Sequence, residues 1–465
     1  MKKLFSALFL STALLFTSCE TEVTIDDAQL QAIVDAAVAA ALANYPDYPD
    51  TQAIADAAAA AATAAVANGL GDIDSAIQDA LDAAAALTNP PIVRVGTGGV
   101  TEITSDTTWT NDKIWLMDGK IVVEDGATLN IEEGTIIKAA TGTGANATVL
   151  IIAKGGKINA VGTADKPIIF TDANDQIVYA NGSTSPNRSA TDKGLWGSVI
   201  ILGNGIVGAA NGEANIEGVV SGYEFTKYGG SDNTENSGVM KYVSIRHTGT
   251  AVSPGNELQG LTMGGVGSGT TIENIELVGS EDDGIEIFGG AVNVTNLVIA
   301  NFDDDGIDLD QAYAGTISNA VIILASGSDT AFEIDGTEEP NDAILGEYTV
   351  ENVTVYGRAD AAKFDTFGNW KSDATGFNDN VLFVDFPTGS TLGGIDADTY
   401  AGAGTATEEG KLFFRDFVAV TADAKTDVIA GQVEEASATW ISVSATRPSG
   451  KGADESVFAW TQFFN

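Results

Sequence analysis

Cysteine and histidine are nearly absent from this chain, and basic residues are scarce. Its 465 residues include one Cys, one His and 22 Lys+Arg against 65 Asp+Glu, a formal net charge of −43 at pH 7. A single Cys excludes a disulfide framework and any thiolate-only metal cluster. A single His, His247, excludes His-rich zinc sites and makes Ser-His-Asp catalysis depend on one position. The shortage of cations excludes a sequence-independent grip on nucleic acid or on an anionic membrane surface, since both need clustered Lys and Arg. With 44% hydrophobic residues the chain can still bury a large core, and 53 Gly against 10 Pro signal many tight turns.

Residues 1–19 read MKKLFSALFLSTALLFTSC. Lys2 and Lys3 make a positive start, Leu4 to Phe16 an apolar run too short to span a bilayer, and Thr17-Ser18 a small-residue cleavage context. Ending on the one cysteine, this segment resembles a bacterial lipobox, which implies a mature chain beginning at Cys19 with lipid on its thiol. Glu20-Thr21-Glu22 follow, and acidic residues there resemble the surface-export signal of Bacteroidetes-type lipoproteins. The expected address is the outer membrane, with lipid attachment through Cys19 and the protein facing outward.

Residues 20–91 read as an Ala-rich α-helical stalk. Leu30, Ile33, Val34, Val38 and Leu42 recur at helical spacing, Thr51 opens a second helix, and Ser75 with Gln78 makes a capping box for a third. The apolar faces are narrow and mostly alanine, marginal in isolation. Two roles fit: a helical hairpin or close-packed oligomer seam, and a tether lifting the next domain off the membrane.

From residue 92 to 465 the pattern changes to short Val/Ile-rich runs between Gly, Asn and Asp, as in 120–137, with no helical periodicity. Aligning 271–278, 293–300, 316–323 and 349–356 puts Asn274, Asn296, Asn319 and Asn352 in one column, and 377–384 adds Asn380. A second column aligns Gly260-Leu261-Thr262-Met263, Gly284-Ile285-Glu286-Ile287, Gly306-Ile307-Asp308-Leu309, Ala331-Phe332-Glu333-Ile334 and Lys363-Phe364-Asp365-Thr366. Two columns sharing a period near 22 residues mark a solenoid whose coils pair as parallel strands. Coils stack about 4.8 Å apart, so like residues meet, and Asn both tolerates a left-handed corner and bonds the next amide. Alternation turns Ile285 and Ile287 inward and Glu286 outward. The fold class is all-β: a right-handed parallel β-helix, its hand taken from the general crossover rule.

Gly194-Leu195-Trp196-Gly197-Ser198, Tyr228-Gly229-Gly230, the stretch 256–267 and Asp282-Asp283-Gly284-Ile285-Glu286-Ile287-Phe288-Gly289-Gly290 resemble secreted and surface β-helix lipoproteins of Bacteroidetes-type bacteria, with the pectate-lyase-like fold. That resemblance covers about three quarters of the chain. It implies fold and export and carries no assigned reaction.

The outward column Thr262, Glu286, Asp308, Glu333, Asp365, with Phe288, Asp310, Asp335 and Phe367 two positions further on, stacks acids at strand spacing. Like charges opposed in this way repel. Three explanations stand: Ca²⁺ held by Glu286, Asp308, Asp310, Glu333 and Asp335; an inverting glycosidase using Glu286, Asp308 and Glu333, whose two-coil separation is about 9.6 Å; and a solvated, solubilising face of Asp-Gly turns. His247, Arg246, Arg358 and Lys363 are the basic candidates, without a lyase signature around them. Tyr223, Phe225 and Tyr228 lie in a Gly/Ser/Asn-rich insertion, where they either stack on sugars or fold back onto the helix. Phe458, Trp460, Phe463 and Phe464 are expected to plug the open last coil.

The functional expectation is a lipid-anchored surface protein that binds a glycan or surface protein, or serves as an adhesin or envelope component, with no nucleic-acid partner. The alternative is a surface polysaccharide-degrading enzyme, glycosidase or lyase, working on the acidic ridge. For the anchor, palmitate labelling and membrane-fraction recovery are both lost in Cys19→Ala; a wild-type chain that is freely soluble contradicts it.

Overall fold

The structure, a computed structural model, describes residues 90–219, 223–250, 258–337, 346–358, 367–396, 398–403, 410–429 and 438–462. Cys19 and the lipobox, the expected helices up to residue 89, the segment 363–366, and Phe463 and Phe464 lie outside the described residues. Among the described residues, no helix is long and apolar enough to cross a membrane.

The chain winds through three flat faces per coil. One is a nine-stranded sheet that includes Val149–Ile152, Val199–Leu202, Leu261–Gly264, Ile285–Phe288, Ile307–Asp310, Phe332–Asp335 and Asn369–Lys371; we call it the first face. The other two belong to a 17-stranded sheet bent along a line. Its bend is visible where Gly238–Thr248 pairs through 238–241 with Lys157–Val161 and through 243–245 with Ile168–Asp172. Two separate strands of one coil thus continue as one long strand in the next, with Tyr242 at the corner. Strand pairs in both sheets are parallel and run coil to coil. This is the parallel β-helix expected from the two columns.

The corner explains the asparagines. Tyr242, Asn274, Asn296, Asn319, Asn352, Asn380 and Asp416 all adopt φ between 52° and 60°, a left-handed conformation that most side chains resist and Asn and Asp tolerate. The side chains then stack. Asn296 Nδ2 donates to Asn274 Oδ1 at 3.1 Å, Asn319 Nδ2 to Asn296 Oδ1 at 2.7 Å, and Asn380 Nδ2 to Asn352 Oδ1 at 2.8 Å. Inside, Leu261, Met263, Ile285, Ile287, Ile307, Leu309, Phe332, Ile334 and Trp370 from the first face meet Val294, Leu297, Ile299, Ile317 and Ile322 in one continuous core. Fully burying each such aliphatic side chain contributes about 1.5–3 kcal/mol.

Two non-repeating segments cover the outside. Residues 203–219 and 223–230 lie on the first face, where Val207, Ile216, Phe225 and Tyr228 pack with Ile151, Ile200, Leu202 and Phe288 in a second apolar layer. Gly264 is required there: a Cβ on it would meet the Tyr228 ring at 2.6 Å. The C-terminal segment 447–462 runs back along the solenoid. Lys451 pairs with Asp416 at 3.0 Å, Gly452 N–H donates to Asn380 Oδ1 at 3.1 Å, Ala453 N–H to Thr354 Oγ1 at 2.9 Å, and Asp454 N–H to Asn319 Oδ1 at 2.6 Å. Trp460 then stands edge-on to Tyr242 at 5.5 Å, and Gln462 N–H reaches Glu276 Oε1 at 3.0 Å.

That path corrects the expected plug. Phe458 packs on Val298 and Val321, along the side of the solenoid, and Trp460 lies further back still. The last coils are instead filled by Trp440, whose ring lies 4.8 Å from Phe414 and 5.5 Å from Phe417, with Trp370 5.1 Å from Phe414.

Asn296 both donates and accepts in the ladder and occupies the left-handed corner, so Asn296→Ala loses two amide bonds and gains backbone strain. We expect a loss of about 2–4 kcal/mol in urea unfolding. Asn296→Gly, which relieves the strain, should lose about half as much; equal losses contradict the corner argument.

Candidate functional site

The first face presents its outward column as expected over four coils. Thr262 pairs with Glu286, Glu286 with Asp308, and Asp308 with Glu333. The fifth position is corrected: Asn369 stands opposite Glu333 and Lys371 opposite Asp335, so 369–371 continues the face rather than 363–366. Phe367 is buried against Phe383 and Phe386 and takes no part in the column. The fifth coil therefore ends the acid stack with an amide and a cation. Lys371 bonds Glu333 and approaches Asp335 at 3.4 Å.

Facing outward does not mean facing water. Glu286 is only 5% exposed and Asp308 only 8%. The covering segment reaches this region, where Gln259 Nε2 donates to Glu217 Oε1 at 2.9 Å and Thr262 Oγ1 donates to Gln259 Oε1 at 2.6 Å. One residue before each glycine or alanine of the repeat stands a second buried column: Gln259, Asp283, Asp305 and Thr330. Asp283 Oδ1 accepts the Asp305 N–H at 2.9 Å, and Asp305 Oδ1 accepts the Thr330 N–H at 2.9 Å. These two aspartates tie successive turns together. In the sequence they read as acids that the turns before each repeat add to the ridge, and their fixed offset from Gly284 and Gly306 was the signal of a stacked role.

The electrostatics follow from burial. Removal from water, then Asp308 and Asp283, holds the Glu286 carboxyl well above the usual carboxylate range. Burial, then Asp310 and Asp283, does the same to Asp308, and burial, then Asp282 and Asp305, to Asp283. Asp305 is pushed up to about 8, again by burial first, with the Thr330 hydrogen bond opposing. Partial burial disfavours the Lys371 ammonium, but Glu333 and Asp335 outweigh it and raise its pKa. Asp310, Glu333 and Asp335 sit half-buried at the margin of this group.

The other candidates are accounted for individually. Tyr223 is 47% exposed and stacks on Phe225 at 4.8 Å, but Phe225 and Tyr228 are buried in the second apolar layer. The expected sugar-stacking trio is thus reduced to one ring, because Phe225 and Tyr228 cover the apolar outer surface of Ile151, Ile200 and Phe288. His247 is buried with Nδ1 2.7 Å from Asp192 O, and burial lowers its pKa. Arg246 is fully buried, with Nε donating to Ser244 Oγ at 2.7 Å and the guanidinium 3.5 Å from Glu276. Arg358 is half-buried just beyond the strand Glu347–Tyr356.

A second feature lies at the other side of the coil. The asparagine corner and the returning C-terminal segment enclose an open groove of about 800 Å³, lined by Asn296, Asn319, Asn352, Asn380, Arg447 and Lys451 among others. No sequence signal pointed to it, since Gly452 meets Asn380 across 72 positions and Asp454 meets Asn319 across 135.

The coiled parallel sheets, the corner ladder and the continuous core define a parallel β-helix protein. Residues 101–465 match the family model described as a pectate-lyase like beta helix domain, and the chain belongs to that family. No curated protein and no solved structure matches it.

Between about pH 4, where unfolded carboxyls ionise, and about pH 8, where Asp305 does so in the fold, the buried first-face carboxyls bind more protons in the folded state than in the unfolded one, outnumbering the single opposing His247. Stability therefore falls as pH rises through that window. In chelator-containing buffer the melting temperature should be lower at pH 8 than at pH 5, and Asp308→Asn should flatten the difference. A melting temperature that rises across this window in both proteins contradicts the assignment.

Proposed function

We propose that this is a lipid-anchored, outward-facing outer-membrane β-helix that binds a glycan chain along the asparagine groove. The observation that carries this reading is the groove itself: an open channel lined at successive coils by Asn296, Asn319, Asn352 and Asn380. Asn319 and Asn380 are bonded to the C-terminal segment, while Asn296 and Asn352 keep amide hydrogen-bonding capacity beyond the ladder, of the kind that sugar hydroxyls require. With coils about 4.8 Å apart, those two positions lie about 9.6 Å apart along an extended ligand. Membership of the pectate-lyase-like family supports a polysaccharide-related role. The lipobox ending at Cys19, followed by Glu20 and Glu22, supports the address. Neutral glycans suit the groove better than acidic ones, because Lys451 is paired with Asp416 and Arg447 with Glu455 in a strongly acidic chain.

A second reading, a polysaccharide-degrading enzyme, has one observation in its favour. Glu286 and Asp308 stand on adjacent coils, about 4.8 Å apart by strand spacing, near the about 5–5.5 Å of a retaining carboxyl pair. Their burial beneath the first face's covering weighs against it, as does the position of Asp308 between Glu286 and Glu333, where an inverting mechanism needs room for water.

A neutral-glycan array followed by calorimetry on the best ligand tests the proposal. Asn352→Gly keeps the corner conformation and deletes the amide, and should weaken binding about five- to tenfold, the equivalent of one lost hydrogen bond of about 1–1.5 kcal/mol. An array without binders, or unchanged affinity in Asn352→Gly, overturns the groove. Depolymerisation of the same glycans, abolished by Asp308→Asn, establishes the enzyme instead.

A further inference from the structure

The acid cluster on the first face contains two oxygens that the fold leaves without a partner. Asp283 and Asp305 use one carboxylate oxygen each to accept backbone N–H groups from the next turn. Glu286 Oε2 and Asp308 Oδ1 have no such use: both are buried, and no hydrogen-bond donor reaches either. A buried carboxylate oxygen without a donor is costly. The groups acting most strongly on Glu286 are Asp308, Asp283, Glu217 and Asp310, all acidic. The ammonium at the end of the column, Lys371, is bonded to Glu333 and Asp335.

One oxygen from each of Asp283, Glu286 and Asp308 lies within 4.8 Å of the other two. Two oxygens on opposite sides of a Ca²⁺ ion, each at about 2.4 Å, are that far apart. The donors are all hard oxygens, with neither His nor Cys among them, which selects against the softer transition metals. Three side chains fixed on adjacent rungs offer an irregular cage, which suits Ca²⁺; Mg²⁺ demands a near-ideal octahedron and keeps several waters. We propose that Asp283, Glu286 and Asp308 form a calcium-binding site built into the first face of the solenoid. It narrows the expected Ca²⁺ ligand set: Glu333 and Asp335 are bonded to Lys371, and Asp283 joins in their place. The site lies on a different face from the asparagine groove and is independent of glycan binding.

Calcium titration of the chelator-stripped full-length protein, followed by calorimetry and by melting temperature, tests the site. The expected result is one ion per chain and a melting temperature raised by several degrees, with a smaller rise in equal MgCl₂. The double variant Glu286→Gln/Asp308→Asn should lose both responses while its far-ultraviolet spectrum is unchanged; if it fails to fold, Asp308→Asn alone should bind at least about tenfold more weakly. Asp373→Asn, in the solvent-facing acid group with Asp396 and Asp398, should respond as wild type. A folded wild-type chain without heat or shift overturns the site, because the pair then shares a proton instead. So does a variant lacking Glu286 and Asp308 carboxylates that binds as wild type. A larger response to Mg²⁺ overturns the assignment to calcium.

Discussion

The described solenoid depends on parallel coil-to-coil pairing at about 4.8 Å, which obliges each strand residue to face its counterpart one coil away. Where the counterparts are apolar, as at Ile285, Ile307 and Phe332, they fill the core. Where they are asparagines, they bond one another along the corner. Where they are carboxylates, as at Glu286 and Asp308, the same spacing opposes like charges. One constraint thus produces both the strongest stabilising pattern and the most strained electrostatics.

The two columns were legible because they repeat. Asn274, Asn296, Asn319, Asn352 and Asn380 are spaced by coil length, and a left-handed corner is one of few positions where Asn outperforms other residues. The acid column was legible for the same reason over Glu286, Asp308 and Glu333. It failed at the fifth coil because Asn369-Trp370-Lys371 lacks the Gly-Ile-acid-Ile pattern, while 363–366 mimics it. Exposure was not legible at all. Alternation tells which way Glu286 points, but not that Glu217, from a non-repeating segment, comes beside it or that it is buried.

The same segment decided the fate of Tyr228, an aromatic that composition alone places in a contact loop. Its ring lies 5.8 Å from Phe288 and its hydroxyl donates to Gln311 at 3.1 Å, so it closes a layer instead of offering a surface. The C-terminal segment is the counterpart on the other side. Its hold on the solenoid comes from hydrogen bonds to ladder amides and from the buried Arg246–Glu276 pair, which also bonds Gln462. Removing one member of a buried pair of this kind costs about 3–5 kcal/mol. Such long-range partners leave no periodic trace in a sequence.

The net charge of −43 therefore has internal structure. Much of it is solvated, but the part stacked on the first face is buried and must be neutralised by protons or by a cation. Metal binding and proton release are then linked at these carboxyls. The most direct test is a crystal structure grown with calcium, using anomalous scattering to identify the ion. The account predicts one anomalous peak between Asp283, Glu286 and Asp308, with oxygen distances of about 2.3–2.6 Å. A short carboxyl–carboxyl hydrogen bond between Glu286 and Asp308, with no peak beside it, would contradict it.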